Sequence, residues 1–287
     1  MIYLALLFLS PFCFSASGHT VTRHIELDRV EKLSISGGFH IKLSRGDPGI
    51  TITGDKNIID ALEIKNEYTT LSLSASEKKT LWSWFGVQHQ NSENYDIDIQ
   101  VSLPHLDSLY LHGSSSAVIK EDLGIEKIEL TGASTLDIRA PISPRELDVE
   151  IRGNSLFSSK SIKTNQLHLQ QSGSGRSVFS NLNIREFAIF NITGRSSVNL
   201  INIHTNQLKL EGSGTSLFSL NTAKLNELTL ELYGISATSI KSLKADAIYA
   251  FLHGSSSLNI KTGEAKTRHE HLTGFAKSNY GSLTVSP

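Results

Sequence analysis

Glycine returns about every 20 residues from residue 113 onward, and this period restricts the possible folds more than any other feature. The spacings between successive members of the series are 19, 21, 22, 19, 20, 20, 20 and 20 residues. The series is Gly113, Gly132, Gly153, Gly175, Gly194, Gly214, Gly234, Gly254 and Gly274. A short run of alternating apolar residues precedes each glycine, and a second run commonly follows it. This period-2 alternation is typical of β-strands and excludes helical repeats.

Short strands repeating about every 20 residues predict an all-β solenoid, a parallel β-helix in which each rung buries its apolar face against the next. Adjacent strands lie about 4.8 Å apart, so eight steps give a column of about 38 Å. A β-propeller is the second possibility, but its blades need about 40–45 residues. Two places carry an additional glycine, SGSG at 172–175 and GSG at 212–214. We interpret both as β-bulges that preserve the flanking strands.

A serine lies two residues after almost every glycine of the series, and only Ala276 departs from the pattern. These serines are Ser115, Ser134, Ser155, Ser177, Ser196, Ser216, Ser236 and Ser256. A catalytic serine is distinguished from its neighbours by a base of its own, whereas these eight are interchangeable. We therefore predict a structural serine ladder at a bend that the glycine permits, with each hydroxyl bonded to the copies above and below it.

The first residues predict a cleaved secretory signal peptide over 1–17. Residues 2–14 are apolar apart from Ser10, and the small residues Ser15, Ala16 and Ser17 follow them. A membrane anchor is the alternative, but this apolar run is shorter than the roughly 20 residues that span a bilayer. Cys13 is the only cysteine and lies within this segment, so the mature chain has no thiol for disulfides, metal binding or catalysis. We expect an exported protein that is periplasmic, outer-membrane-associated or extracellular.

The region before the regular rungs follows the period less closely. Residues 18–104 contain alternating strands around the turn residues Gly46, Asp47, Pro48 and Gly49. We predict that 18–104 form the opening rungs and N-terminal cap, continuous with the regular rungs of 105–287. A separate N-terminal domain is the alternative, although no stretch resembling a linker follows residue 104.

Three groups of motifs together resemble a known family. They are FHIKLSRG…ITITGDKNIIDALEIK…TLSLS, then YDIDIQVSLPHLDSLYLHGSS, then the recurring GSG and GSS corners. In this order they are similar to the bacterial head GIN domain family of auto-transporter adhesin-like proteins, from about residue 30 to the C-terminus. The resemblance implies a right-handed parallel β-helix that is exported to the cell envelope, without an established catalytic site.

Both tryptophans lie in one segment between two strands, outside the repeat. Trp82, Trp84 and Phe85 form an apolar cluster that needs a partner, because large exposed apolar patches usually mark binding sites. One interpretation is a lid over the open N-terminal end of the solenoid, whose edge and core need protection. The other interpretation is a surface that contacts a ligand or a partner.

A second candidate surface is predicted from rung phase near the C-terminal end. Its members share outward positions on neighbouring rungs: Tyr233, Tyr249, Phe251, His253, His269 and His271. Imidazoles on such a face suit weak zinc or copper binding, but solvated outer-face residues are the simpler interpretation. We therefore expect no metal site and no cofactor.

Parallel β-helices also carry polysaccharide lyases and glycosidases, whose chemistry needs concentrated carboxylates on one outer face. The outward acids Asp137, Asp148, Glu150 and Glu231 are scattered between rungs, so we expect no enzyme. A formal net charge of −1 offers no global attraction to nucleic acid. The predicted function is a non-catalytic envelope module that binds carbohydrate or another cell-surface protein. A carbohydrate-active enzyme and a purely structural envelope component are the alternatives.

Overall fold

Buried and exposed residues alternate along most strands, as the sequence pattern predicts. The computed structural model describes residues 20–75 and 97–286. Over these residues the chain is nearly all β and forms a solenoid of about nine stacked turns, which confirms the predicted fold class. In β16 (Leu217–Leu232), for example, Leu228, Leu230 and Leu232 are fully buried and alternate with partly exposed residues.

The described elements fall into three consecutive groups. The first group is β1 (Thr20–Glu26), β2 (Lys32–Gly37), β3 (His40–Arg45), β4 (Gly49–Asp55), α1 (Lys56–Asp60), β5 (Leu62–Glu67) and β6 (Thr70–Ala75). The second group is β7 (Ile97–Leu103), β8 (Ser108–Gly113), β9 (Ser116–Ile119), β10 (Lys127–Leu130), β11 (Thr135–Ile142), β12 (Glu146–Gly153), β13 (Leu156–Gly173) and β14 (Arg176–Ile192). The third group is β15 (Ser197–Gly212), β16, β17 (Ala237–Lys244), β18 (Ala247–Leu252), β19 (Ser257–Ala265), β20 (Thr267–Leu272), β21 (Lys277–Asn279) and β22 (Ser282–Val285).

Each regular turn has three sides, and equivalent sides of successive turns pair as parallel strands. In β15 the first side is 207–212, the second is 197–200 and the third is 202–205. Each of these stretches pairs in register with the residues 20 positions later in β16. The glycine corner joins the first side to the second, so one position of the repeat forms a column of side chains along the solenoid.

Pairing is mixed at the N-terminal end. β2 pairs in parallel with β8, and β3 pairs in parallel with β9, so both continue the stack of regular turns. β4 instead runs antiparallel to both β1 and β7, and β5 runs antiparallel to β6. One apolar core nevertheless runs from Val30 to Ala265.

Three phenylalanines fill the core of the middle turns. Phe157 and Phe179 have ring centroids 5.0 Å apart, and Phe179 and Phe190 meet edge to face at 5.6 Å. Their relative exposure is 2% or less. Tilted and edge-to-face pairs are favourable ring arrangements and add to the stabilisation from burial. Aromatic contacts therefore contribute to the core in the turns of β13 and β14.

Backbone geometry requires glycine at the corner. Gly194 has a φ of +81°, and a Cβ there would lie 2.5 Å from the carbonyl oxygen of Gly173. Gly173 has a φ of +100° and pairs in register with Gly153. The predicted series is therefore wrong at one position, because Gly173 is the corner residue of its turn and Gly175 is not. Gly173 lies 20 residues after Gly153, which is the spacing that parallel pairing without a shift demands.

The two glycine-rich variants are not bulges, which corrects the prediction. β12 and β13 stay in register up to Gly173, and β15 stays in register with β16 through Gly212. Gly212 occupies an inward position between Ile192 and Leu232. A Cβ there would lie 3.2 Å from the Phe218 ring, so the missing side chain makes room for that ring.

Candidate functional site

Seven of the eight predicted ladder serines lie in one buried column inside the corner: Ser115, Ser134, Ser155, Ser196, Ser216, Ser236 and Ser256. The Ser115 hydroxyl donates to the carbonyl oxygens of Gly37 at 2.7 Å and His112 at 2.8 Å. The Ser216 hydroxyl likewise donates to the carbonyls of Ser213 and Ile192. Among the hydrogen bonds of the described residues, none joins two of these hydroxyls. The corner exposes carbonyls three residues earlier and one turn below, and for six of the seven serines these are the acceptors in place of the predicted serine copies. Among the described residues, the buried Ser256 hydroxyl has no hydrogen-bond partner.

Ser177 does not belong to this column. Gly175 occupies the corresponding position of the column. Its backbone carbonyl accepts from the amide of Ser197, and the amide of the next residue, Arg176, donates to the carbonyl of Ser155. Ser177 pairs instead with Phe157 and Val198, which places it in the apolar core. The structure thus corrects the predicted role of this residue.

A buried polar pair occupies the core at this turn. Gln171 is 2% exposed, and its amide nitrogen donates to the carbonyl of Gly175 at 2.7 Å. Its amide oxygen accepts from the Ser177 hydroxyl. Because both side chains are satisfied, their burial avoids the penalty of an unpaired polar group. The sequence signal is that Gln171 interrupts the apolar alternation of Leu167 and Leu169.

The tryptophan segment is outside the part of the chain that the structure describes. Trp82, Trp84 and Phe85 fall within 76–96, and the predicted signal peptide falls within 1–19. The lid and contact-surface interpretations of the tryptophan segment therefore both stay predictions.

Stacking of the last turns brings the second candidate surface together. Tyr249 pairs with His269, and Phe251 pairs with His271, on the first side of consecutive turns. Tyr233 and His253 precede successive corner glycines and form the adjacent column. We call the six residues Tyr233, Tyr249, Phe251, His253, His269 and His271 the aromatic–histidine face.

The rings of this face are ordered by their neighbours. Tyr233 and His253 stack with centroids 4.8 Å apart and planes inclined by 7°, and Tyr249 and His269 stack at 5.2 Å and 9°. His253 lies 6.1 Å from His271, and its Nδ1 is 2.7 Å from the Thr273 hydroxyl. Side chains held in this way lose little further rotamer freedom when a ligand binds.

Two exposed apolar side chains adjoin this face, and the sequence-based prediction did not include them. Phe275 is 83% exposed and Ile235 is 65% exposed. Ile235 and Phe275 directly follow corner glycines, where most other turns have a small or polar residue. That position in the repeat is the signal that identifies them.

Among the described residues, the histidines of the face have no further ligands with which to form a metal centre. Within residues 20–75 and 97–286, no group of three or more His, Cys, Asp or Glu side chains is arranged to hold a metal ion. In the same residues, no helix has the length and apolar character needed to span a bilayer.

Three of the four outward acids, Asp137, Glu150 and Glu231, contact cations. Glu150 and Glu129 both contact Arg152, and Lys209 lies 3.0 Å from Glu231. Partial burial pushes the pKa of Asp137 upward, but hydrogen bonds from Ser158 and Arg139 outweigh it and hold that pKa below its ordinary value. A hydrolase of this kind needs a carboxylic acid whose pKa is raised. At Asp137 the geometry stabilises the charged carboxylate instead.

Known proteins share the family pattern and the fold. The family model described as "Putative auto-transporter adhesin, head GIN domain" matches residues 30–215. A crystal structure of a "putative adhesin" from Parabacteroides merdae ATCC 43184 is 17% identical, with 92% of this chain and 96% of that chain covered and a TM-score of 0.50. A "putative adhesin" from Bacteroides fragilis NCTC 9343 is 16% identical, with 94% and 97% covered and a TM-score of 0.50. At these identities the likeness establishes the fold alone. No protein with a curated description matches the chain.

Proposed function

The chain belongs to the family described as "Putative auto-transporter adhesin, head GIN domain", and from this premise we propose that it is an exported, non-catalytic binding module of the cell envelope. Its contact surface is the aromatic–histidine face, and its partner is envelope carbohydrate or another cell-surface protein. The observation that carries this proposal is the assembly of six ring side chains, with exposed Tyr233 and Phe251 among them, on neighbouring turns.

The chemistry of the face suits recognition. Tyrosine and histidine present an apolar ring together with a hydrogen-bonding group, a combination enriched at interfaces and suited to sugar rings. Tyr233 and Phe251 are 47% and 39% exposed, so their rings have apolar area to bury against a partner. Aromatic anchors of this kind commonly dominate the binding energy of an interface.

The paired acids support a binding role over the carbohydrate-active enzyme. A hydrogen bond from Lys42, followed by one from Gln100, lowers the pKa of Asp98, in the same direction as the shift at Asp137. These carboxylates are suited to ion pairing and unsuited to donating a proton near neutral pH. Export is supported by the apolar residues 2–14 and the small residues that follow them.

The experiment is binding of purified protein to a glycan array and to isolated bacterial cell envelopes. We expect Tyr233→Ala combined with Phe251→Ala to weaken binding by at least about tenfold, since aromatic hot spots contribute about 2 kcal/mol or more. The melting temperature of this double variant should stay close to that of the parent, because both rings are substantially exposed.

The matched control is Leu156→Ala combined with Leu217→Ala, which removes two equally exposed apolar side chains from the second side. This control should bind like the parent. A double aromatic variant that binds like the parent would overturn the assignment of the face, and release of glycan fragments by the parent would overturn the non-catalytic assignment.

A further inference from the structure

A groove of about 740 Å³ opens on the third side of the solenoid, away from the aromatic–histidine face. Four of its lining side chains are basic: Arg145, Lys163, Arg185 and His204. All four are exposed, and no Asp or Glu lines the groove. We call the groove that these four residues line the basic groove.

The repeat arranges part of this lining as a ladder along the solenoid axis. Lys163 pairs with Asn183, and Asn183 pairs with His204, so the three occupy one outward column. Lys224 continues the same column on the following turn. Parallel pairing spaces successive members by about 4.8 Å. Cationic and amide groups therefore recur at a fixed interval along one line.

Arg185 enters the groove because its corner contains an additional residue. Asn183 and Phe187 are four positions apart, whereas their partners His204 and Gln207 are three positions apart. The register shift leaves Arg185 in the enlarged corner between the two paired stretches. A bulge of this type redirects a side chain and is common beside binding sites.

The cations of this groove differ from those on the first side of the solenoid. On the first side, Lys209 contacts both Glu211 and Glu231, and Arg152 contacts two acids. In the groove, by contrast, only Arg145 has a carboxylate nearby, with its Nε 3.9 Å from Glu146. The ion pairs of the described residues do not involve Lys163 or Arg185. Lys163 and Arg185 thus present positive charge that no ion pair of the described residues compensates.

Acidic side chains mark one border of the groove. Beyond the corner, a neighbouring depression is lined by Glu186, Glu227 and Asp246. The amide of Gln166 donates to Glu186, which keeps this carboxylate on the far side of the corner from Lys163. A narrow line of basic side chains with acidic side chains beside it favours a linear anionic chain as the ligand. A flat anionic membrane surface would contact the acidic side chains as well and would be repelled by them.

We propose that the basic groove binds an acidic polysaccharide, with its carboxylates on Arg145, Lys163 and Arg185 and its hydroxyls on the amides of Asn183 and Asn206. Guanidinium groups match carboxylates in a two-pronged geometry, and amides both donate to and accept from sugar hydroxyls. The site lies on a different side from the aromatic–histidine face. It therefore stands or falls independently of the function proposed for that face.

The probe is polygalacturonate, compared with uncharged dextran and with vesicles that contain anionic phosphatidylglycerol. The test variant combines Arg145→Gln, Lys163→Gln and Arg185→Gln. The control combines Lys32→Gln, Lys120→Gln and Lys277→Gln, which removes the same charge from exposed positions elsewhere. Calorimetry at low and high sodium chloride measures affinity, and thermal melting verifies that both variants are folded.

We expect the parent to bind polygalacturonate and not dextran, with an affinity that falls as salt rises. The groove variant should lose at least about tenfold in affinity, because charge-assisted hydrogen bonds are the strong ones. The control should change by less than about threefold. Equal losses in both variants, absence of polygalacturonate binding by the parent, or binding to the vesicles alone would each overturn the proposal.

Discussion

A turn in the middle of the solenoid and the last turn follow the same template but place different residues on its inward positions. On the first side of the middle turn, Ala188, Phe190 and Ile192 face the core and are fully buried. Through successive parallel pairings the corresponding residues of the last turn are Arg268, Glu270 and Leu272, and all three are exposed.

Stacking explains the difference. The middle turn has a neighbour on both edges, since β14 pairs with both β13 and β15. In the described part of the chain, β20 pairs with β18 alone. The guanidinium of Arg268 lies 4.2 Å from the centre of the Tyr280 ring, so charge and an aromatic ring occupy the end of the core. Charged residues on a free edge disfavour addition of another strand. Regular apolar alternation thus locates the core, and exposed charged residues at inward positions mark the end of the stack.

The sharpest test of this comparison is a truncation at equivalent inward positions. Ile192→Ala should lower the free energy of unfolding by about 2–5 kcal/mol, because it leaves a cavity between fully stacked turns. Leu272→Ala, at the corresponding position of the last turn, should cost less than about 1 kcal/mol, because that side chain is 41% exposed. Denaturant unfolding of both variants measures the difference. Similar losses in the two would mean that the last turn is packed like the middle ones.

The corner column offers a test of intermediate size. Ser196→Val should lower the free energy of unfolding by about 1–3 kcal/mol, because it removes the donor to the Gly173 carbonyl inside a buried corner. Ser197→Val is the control, since that residue points outward and is partly exposed. Urea unfolding compares the two. Equal losses would contradict the assignment of Ser196 to the inner column.

The smallest expected effect is the pH dependence of stability that arises from Tyr280 in the last turn. Burial, followed by the charge of Glu270, raises the pKa of Tyr280 to about 12, above its ordinary value of 10.0. The folded state therefore keeps a proton that the unfolded chain loses first, so this contribution is present below about pH 10 and disappears as the pH rises towards about 12. With partial exposure taken into account, the contribution is about 1 kcal/mol.

Tyr280→Phe removes this contribution, so its free energy of unfolding should fall less steeply than that of the parent between about pH 9 and about pH 12. Tyr249→Phe, which alters an outward tyrosine of the aromatic–histidine face, should follow the parent. Unfolding midpoints across this range provide the measurement. Parallel curves for the parent and Tyr280→Phe would show that the last turn does not shield this phenol.

The period and its alternation were sufficient to predict the solenoid, because each strand exposes alternate residues and only stacking buries the apolar ones. The same reasoning places Tyr249 beside His269 and Phe251 beside His271, since residues one period apart lie on adjacent turns. The sequence by itself thus determined the stacking of turns and the pairing of these ring side chains on adjacent turns.

Register decided the rest. A one-residue shift moves a side chain from the surface to the core, and no local rule chooses between two nearby glycines. Only the pairing with Gly153 shows that Gly173 forms the corner, which places Ser177 in the core beside Gln171. The shift before Phe187 likewise depends on the strands on either side, and it is what brings Arg185 into the basic groove. These features arise between turns, so only the tertiary structure specifies them.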